Sequence, residues 1–492
     1  MYAERVKQAK VRNPCLSDLH EFLHRSAPST DRTRIVSLDF LADTTSPKIC
    51  EIPRDRLSET LDEASENVSD FAGTLAHYSQ LLGRALIIEF ISKELIEELG
   101  NRFDIEPWFF ASYIHQAWRN TKTQSTQQCT LPSREKKQTF LSLHYHRTLS
   151  FGALDAEYVQ LRRQSQYERK VFVVPATGEE RIGLAQHCCS VLMVERPNQS
   201  WICECMAAII QVVSSSLTAI ILADPAIDGQ YLPGREHNRL PVRAPSTPFL
   251  GGCEDFDTRS AHGRDLTGQP GATNRSMLDE LVHYWTVSPP SMFDAHRPTL
   301  RALAYYPLKI VAAEWVNYIA LMAFSMKAHE LSMKPSANIS AELVALNLSL
   351  RNLQTWRRRV LSTQGKLRQA VRFIDRQLKV DGGNEDWDAL REDYEFINGE
   401  VDSHGQRLEA MIPLVTSAVQ LVESRRSLVE TANVSRLTVL ALVFIPLTYV
   451  ASIFSMSDQF GPSGSKFWVY FTVAVPITVL VVAIAKPPRL IT

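Results

Sequence analysis

The sequence predicts an α+β cytosolic domain followed by a long helical stalk and a C-terminal two-helix transmembrane hairpin, with helix predominating overall. Three observations carry that reading. Two apolar runs, Leu437–Met456 and Phe467–Ala485, hold no charged residue. A helical pattern extends from about Tyr305 to Arg436, and a mixture of strand-like runs and capped helices lies between Arg84 and Ala223.

At about 1.5 Å of rise per residue each apolar run covers roughly 30 Å, the hydrocarbon thickness of a bilayer. The link between them, Ser457–Lys466, is short, polar and rich in Gly and Pro, so the runs form a hairpin. Phe467, Trp468, Tyr470 and Phe471 gather at its edge, as aromatic residues do at a membrane interface. Arg425, Arg426 and Arg436 precede the first span, and Lys486 and Arg489 follow the second. The positive-inside rule then leaves both termini in the cytosol of a multi-pass membrane protein. Thr448, Ser452 and Ser455 recur at i, i+4 and i+7 in the first span and make one hydroxylated face. That face serves helix–helix hydrogen bonding, back-bonding to the helix carbonyls, or a pore lining. A single hairpin encloses no channel, so conduction demands an oligomer.

In the stalk, Tyr305–Met333 is a first helix ended by Lys334-Pro335, and a second runs from Ser340 to about Val380. Asp381–Asn384 breaks the chain, and a third helix starts near Glu385 and runs into the first span. Between Arg351 and Lys379 stand nine bases and one acid, and between Asp381 and Asp402 nine acids and one base. An antiparallel hairpin sets these blocks side by side for mutual neutralisation. A second reading gives the acids a divalent cation, with Asp386, Asp388, Glu392 and Asp393 as hard oxygen ligands of a regulatory site. Further on, Leu408, Val415, Val422 and Val429 recur every seven residues beside a second stripe of Leu414, Leu421 and Leu428. Two stripes on one helix suggest coiled-coil packing on two sides, against the chain itself and against copies of it. Pro413 is expected to kink that helix.

The domain division expected is an unassigned extension over 1–65, an α/β domain over 66–300, the helical stalk over 301–436, and the transmembrane hairpin with a short basic tail over 437–492. Residues 228–274, with five Pro and seven Gly, read as a mobile insertion. In the α/β domain Arg84–Phe90 is expected as a strand, Ser92–Leu99 as a helix closed by Gly100, and Asp104–Pro107 as the start of another. Lys170–Pro175, Ile182–Val194, Trp201–Val212 and Leu217–Ala223 are β-rich or ambiguous.

Several function classes find no support. With 53 Lys+Arg against 54 Asp+Glu, nothing suggests a nucleic-acid partner. No phosphate-binding loop, zinc-protease, nucleophile-elbow or dinucleotide motif occurs, so no enzyme and no bound cofactor is expected. The cluster His187-Cys188-Cys189 and Cys203-Glu204-Cys205 has ligand chemistry for zinc. Its spacing is not a standard zinc pattern, and the cysteines read as buried strand residues.

The segments Asn101–His115, Tyr306–Ile319 and Arg436–Ser457 resemble the CorA-like divalent-metal transporter superfamily, in particular its fungal members. The resemblance is strongest from about Tyr305 onward and weaker from Leu99 to Asp224. It implies a homopentamer in the bilayer, with the first span lining a pore for Mg²⁺ or a related divalent cation. At the place of the family's Gly-Met-Asn signature this sequence has Ser455-Met456-Ser457, followed by Asp458 as an anionic neighbour. Thr448 matches a polar pore ring, Ile445 and Leu437 match hydrophobic constrictions deeper in, and Arg436, Lys486 and Arg489 match a basic collar at the cytosolic mouth. The alternative reading is a non-conducting membrane-anchored scaffold or ion sensor of the same fold.

Overall fold

The computed structural model describes residues 1–25, 32–41, 46–66, 81–115, 130–151, 160–163, 167, 169–174, 181–194, 217–233, 242–249, 276–295, 298–332, 338–381, 384–456 and 466–485. The chain divides into two compact units, Met1–Ser332 with Trp356–Leu408, and Met333–Thr355 with Glu409–Thr492. The expected stalk, 301–436, is therefore shared between both units rather than forming one of its own.

The first unit is built on an 11-stranded sheet. Its strands are β1 (Arg34–Leu41), β2 (Lys48–Glu51), β3 (Leu81–Glu89), β4 (Phe140–Phe151), β5 (Gln160–Arg163), β6 (Lys170–Val174), β7 (Arg181–Met193), β8 (Leu217–Ala223), β9 (Gln230–Pro233), β10 (Val242–Arg243) and β11 (Ser246–Pro248). The order is β10-β9-β5-β6-β7-β8-β3-β1-β2, with β4 between β7 and β11. All pairings are antiparallel except β3 with β8. β7 lies along β4 for its whole length, while its other edge is shared by β6 near the start and β8 near the end. Ala85, Leu86, Ile87 and Ile88 of β3 are all buried, so both faces of that strand are covered.

Residues 1–65, set apart in the sequence reading, belong to this unit. β1 pairs with β2 and β3, and α1 (Tyr2–Arg12) and α2 (Ser17–His24) bury Tyr2, Val6, Leu19 and Phe22 in an apolar cluster of the unit. The boundary expected at residue 65 falls inside one core. The expected insertion is corrected in part too, because Gln230–Pro233 and Ser246–Pro248 are strands paired with β5 and β4; residues 234–241 and 250–274 lie outside the described residues, as do Trp201–Val212.

α3 (Leu57–Glu66) follows β2. α4 (Lys93–Arg102) starts where Ser92 Oγ accepts from the Leu95 amide at 3.3 Å, and α5 (Pro107–Ile114) starts on a proline whose missing N–H costs nothing there. Gly100 lies under the Tyr2 ring, where an added Cβ would meet ring atoms at 2.7 Å. Gly100→Ala is expected to destabilise the unit by about 1–3 kcal/mol through that overlap, read as a lower Tm.

α6 (Pro132–Glu135) precedes β4. α7 (Met277–Val287), α8 (Leu300–Ser332), α9 (Ile339–Asp381) and α10 (Glu385–Phe454) follow, and α7 opens on a capping box between Ser276 and Asp279. In the first unit α8 and α9 run antiparallel, joined by Trp356 Nε1 to Ser325 Oγ at 2.8 Å and Thr363 Oγ1 to the Tyr318 hydroxyl at 3.3 Å. α9 and α10 form an antiparallel hairpin, with Gln364 donating to Asp402 at 2.6 Å. Arg391–Asp375 at 2.9 Å joins the two charge blocks, the lone base of one with the lone acid of the other. Wholesale neutralisation is not what the geometry gives: Arg376 turns to Glu135 at 3.2 Å, Arg359 stacks on Phe172, and Asp393 takes Lys309 at 2.7 Å.

Arg147 of β4 is buried between Glu280 of α7 at 2.8 Å and Glu314 of α8 at 2.9 Å. Burial raises the Glu314 pKa from 4.5 to about 7, against the lowering pull of Arg147. A carboxyl whose folded pKa is raised contributes stability at low pH that is lost as pH climbs through the folded value. Glu314→Gln is therefore expected to gain on the parent in Tm as pH rises from about 4.5 to about 7, whatever its offset at pH 4.

Candidate functional site

The second unit holds the C-terminal end of α10 and the helix α11 (Trp468–Ala485). α10 continues without a break through Pro413 and Pro446, so the kink expected at Pro413 does not interrupt it. Leu408 of the first unit and Val415 and Val422 of the second are buried, whereas Leu414, Leu421 and Leu428 are about two-thirds exposed, at 65, 67 and 71%. The two heptad stripes thus differ: one is covered by the chain and the other is bare. Val429, expected with the first stripe, is exposed.

Between Leu437 and Phe454 the helix meets α11 along one side. Tyr470 Oη donates to the Leu447 carbonyl at 3.4 Å, the rings of Phe454 and Tyr470 stand 6.3 Å apart, and Pro446, Val450 and Ala474 are buried. Residues 437, 441, 445, 448, 452 and 455 repeat at intervals of three and four, so they share one stripe, and helical rotation puts it opposite Pro446 and Val450. All six are exposed: Leu437, Ala441, Ile445, Thr448, Ser452 and Ser455. Three of the expected pore residues, Leu437, Ile445 and Thr448, fall on this stripe within the helix. Ser455 and Met456 form the turn just beyond it. Ser457 and Asp458 lie outside the described residues.

The hydroxyls of the stripe have a defined polarity. Thr448 Oγ1 donates back to Phe444 O at 2.8 Å and lies 3.0 Å from Ile445 O, and Ser452 Oγ donates to Thr448 O at 2.9 Å. Each proton is spent on its own helix, which leaves oxygen lone pairs facing outward. At Thr448 and Ser452 such a surface accepts from the water shell of a cation.

Residues 293–486 match the family described as "CorA-like Mg2+ transporter protein". The match covers 194 of the 492 residues and is confined to the C-terminal part of the chain. α10 is long and apolar enough to cross a membrane, and α11 is a shorter apolar helix. Two solved structures resemble the chain loosely. The CorA magnesium transporter from Methanocaldococcus jannaschii aligns at 10% identity over 93% of this chain and 98% of its own, with a TM-score of 0.35. The full-length CmaX protein aligns at 10% identity over the same shares, with a TM-score of 0.36. A comparison with curated proteins returns no match.

α8, which lies largely in the CorA-like region, is also apolar enough to span a bilayer over Leu300–Glu330. Half of its most apolar window is buried, with Trp315 and Tyr318 in a cluster of aromatic rings, so it is a core helix.

The remaining expected sites fare differently. Asp386 accepts from Ser291 Oγ at 2.5 Å and Asp393 from Lys309, while Asp388 and Glu392 are exposed on another side of α10. Among the described residues no three Asp, Glu, His or Cys side chains converge as a metal site, so these four acids do not make one together. Arg436 is exposed before the first span, and Lys486 and Arg489 lie outside the described residues. His187, Cys188 and Cys189 are buried strand residues of β7, and Cys203, Glu204 and Cys205 lie outside the described residues. Burial drives the Cys188 thiol up to about 12, far from the thiolate that zinc needs. Ala441 joins the candidate stripe without having been singled out in the sequence; its signal is spacing alone, since a methyl group carries no chemistry to notice.

Proposed function

We propose that the protein is a channel or transporter for a divalent cation, Mg²⁺ or a related ion, working as a homo-oligomer of the pentameric kind that the family resemblance of its sequence implies. Thr448 and Ser452 present hydroxyl oxygens to the hydrated ion, Leu437 and Ile445 narrow the path, and Ser455-Met456-Ser457 with Asp458 stands at the outer mouth. Arg436, Lys486 and Arg489 collar the cytosolic side, where both termini lie.

The observation that carries this reading is the family match over residues 293–486, which contain both apolar helices. Two features support it. The hydroxyl stripe opposite α11 is the surface left for copies of the chain once α11 covers the other side. The bare Leu414–Leu421–Leu428 stripe on the same helix asks for a cover of its own, and apolar stripes at heptad spacing fit another helix. An inside-negative potential contributes about 4.6 kcal/mol per 100 mV to the inward movement of two charges.

The test is ion influx into liposomes holding the purified oligomer, read by an internal indicator dye under an inside-negative potential. Saturable influx of Mg²⁺ above that of empty liposomes is the expected result. Absence of influx for Mg²⁺, Co²⁺, Ni²⁺ and Mn²⁺ from a verified oligomer would refute transport and favour a membrane-anchored scaffold or sensor.

A further inference from the structure

A cavity of about 910 Å³ opens within the first unit between β4, β7 and α9. One wall is a single face of α9, where Ser362, Lys366, Gln369, Arg372, Arg376 and Lys379 recur at three- and four-residue intervals. This is where the basic block of α9 points. Arg376 is matched by Glu135, and the buried Arg169 by Asp224. Among the described residues Lys366, Arg372 and Lys379 have no carboxylate within ion-pair distance, so the cavity carries a surplus of positive charge.

The facing wall holds three polar atoms without a partner. His187 is 2% exposed, Tyr145 1% and His115 9%, and His187 Nδ1, Tyr145 Oη and His115 Nε2 find no hydrogen-bond partner among the described residues. Such orphans are uncommon in folded proteins and ask for a ligand or ordered solvent. The state of His187 follows from its neighbour. Arg163 can only donate, and its Nη1 stands 3.1 Å from His187 Nε2, so Nε2 accepts and the proton sits on Nδ1. Burial and three nearby arginines hold the ring neutral, with its pKa well below the usual histidine value. A buried N–H donor and a buried phenol thus face a cavity walled by unmatched cations. That combination repels a metal ion and suits an anion.

The size and the apolar lining narrow the class. About 910 Å³ is at the upper end for small-molecule sites and exceeds what a lone phosphate fills. Phe140, Leu141 and Phe373 add apolar and aromatic surface to the same cavity. We propose that this cavity binds a soluble organic phosphate of nucleotide size, its phosphate groups toward Lys366 and Arg372 and its ring toward Phe140 and Phe373. Lys366 supports the assignment, because an unmatched lysine here is costly: desolvation lowers its pKa from 10.5 to about 8.

The test uses the full chain in lipid nanodiscs, with EDTA present so that no metal is read in place of the anion. ATP, AMP, pyrophosphate and inorganic phosphate are titrated separately by calorimetry. ATP or AMP is expected to bind saturably, with pyrophosphate and phosphate at least about tenfold weaker. Lys366→Gln is expected to lower nucleotide affinity about tenfold or more, the scale of one hydrogen bond to a charged group. Arg368→Gln, on α9 but away from the cavity, is expected to leave it unchanged. Gly365→Phe provides a second route, since a Cβ at Gly365 meets nothing within 4 Å and the ring would occupy the cavity with the helix kept. Loss of nucleotide binding in that variant, at an unchanged Tm, supports the site. No nucleotide binding by the parent, or binding indifferent to both variants, overturns it. Phosphate binding as tightly as ATP overturns the organic class. None of these readouts involves transport, so failure here and failure of the transport reading are separate results.

Discussion

Thr448→Lys is expected to reduce divalent-cation influx to the level of empty liposomes while the oligomer still assembles. The hydroxyl at this position donates to its own helix and turns lone pairs outward, on the stripe opposite α11. An ammonium there reverses the sign of the surface in every subunit of an oligomer. A divalent ion about 5 Å from one ammonium meets roughly 6–7 kcal/mol of repulsion at an effective dielectric near 20. One such contact already exceeds the roughly 4.6 kcal/mol that 100 mV supplies, and a ring of them multiplies it. Thr478→Val on α11 is the control, because its hydroxyl bonds back to Ala474 O at 2.7 Å and lies on a different helix from the proposed pore stripe; influx should stay at the parent level. Parent-like influx in Thr448→Lys would remove this stripe from the conduction path.

Asp224→Ala is expected to cost about 3–5 kcal/mol, enough to leave the first unit unfolded or nearly so. The carboxylate has no exposed surface and accepts four hydrogen bonds: from Arg169 Nε at 2.7 Å, Arg169 Nη2 at 3.1 Å, the Tyr113 hydroxyl at 2.9 Å and the Cys188 amide at 2.9 Å. Arg169 also donates to Tyr113 O and stacks over Tyr113 and Tyr167. Removing the acid strands a guanidinium in an apolar interior, which is worse than never having had the pair. A double variant, Asp224→Leu with Arg169→Met, should recover much of the loss in Tm. Equal melting of Asp224→Ala and the parent would show that Arg169 finds other partners.

The same buried polar groups explain what the sequence did not disclose. β4 went unassigned although Phe140-Leu-Ser-Leu-His-Tyr-His-Arg alternates apolar with polar residues, the pattern of a strand with one polar face. Here Ser142, Tyr145 and Arg147 are all buried, satisfied by Ser190, Glu280 and Glu314 or facing the cavity. β1 lies in the stretch 1–65 that the sequence reading left unassigned, and nothing local states that β3, more than forty residues on, is its neighbour. The apolar helices, the hairpin of α9 and α10 and the candidate stripe were readable because each depends on periodicity within one helix. The charge blocks misled because charge says nothing about direction: Arg376 of α9 pairs with Glu135 and Asp393 of α10 with Lys309, not with each other. The cavity was invisible for the same reason, since its two walls come from β7 and from α9, well over a hundred residues apart.

The parallel pairing of β3 with β8 has a consequence for how the chain is made. Arg84 and Leu217 are register partners about 130 positions apart. At a translation rate of about 5–20 residues per second, β3 waits roughly 7 to 27 seconds for its neighbour. During that interval β1 and β3 form a ribbon with an open edge, while Leu86 and Ile88 share an apolar cluster with residues of α1, α2, α4 and α5 that are already made. β7 arrives before β8 and cannot bridge the gap, because it joins β3 only through β8. The nascent chain is thus most vulnerable to aggregation between residues 90 and 217, and a chaperone that shields β-edges would act there, well before the first apolar helix leaves the ribosome.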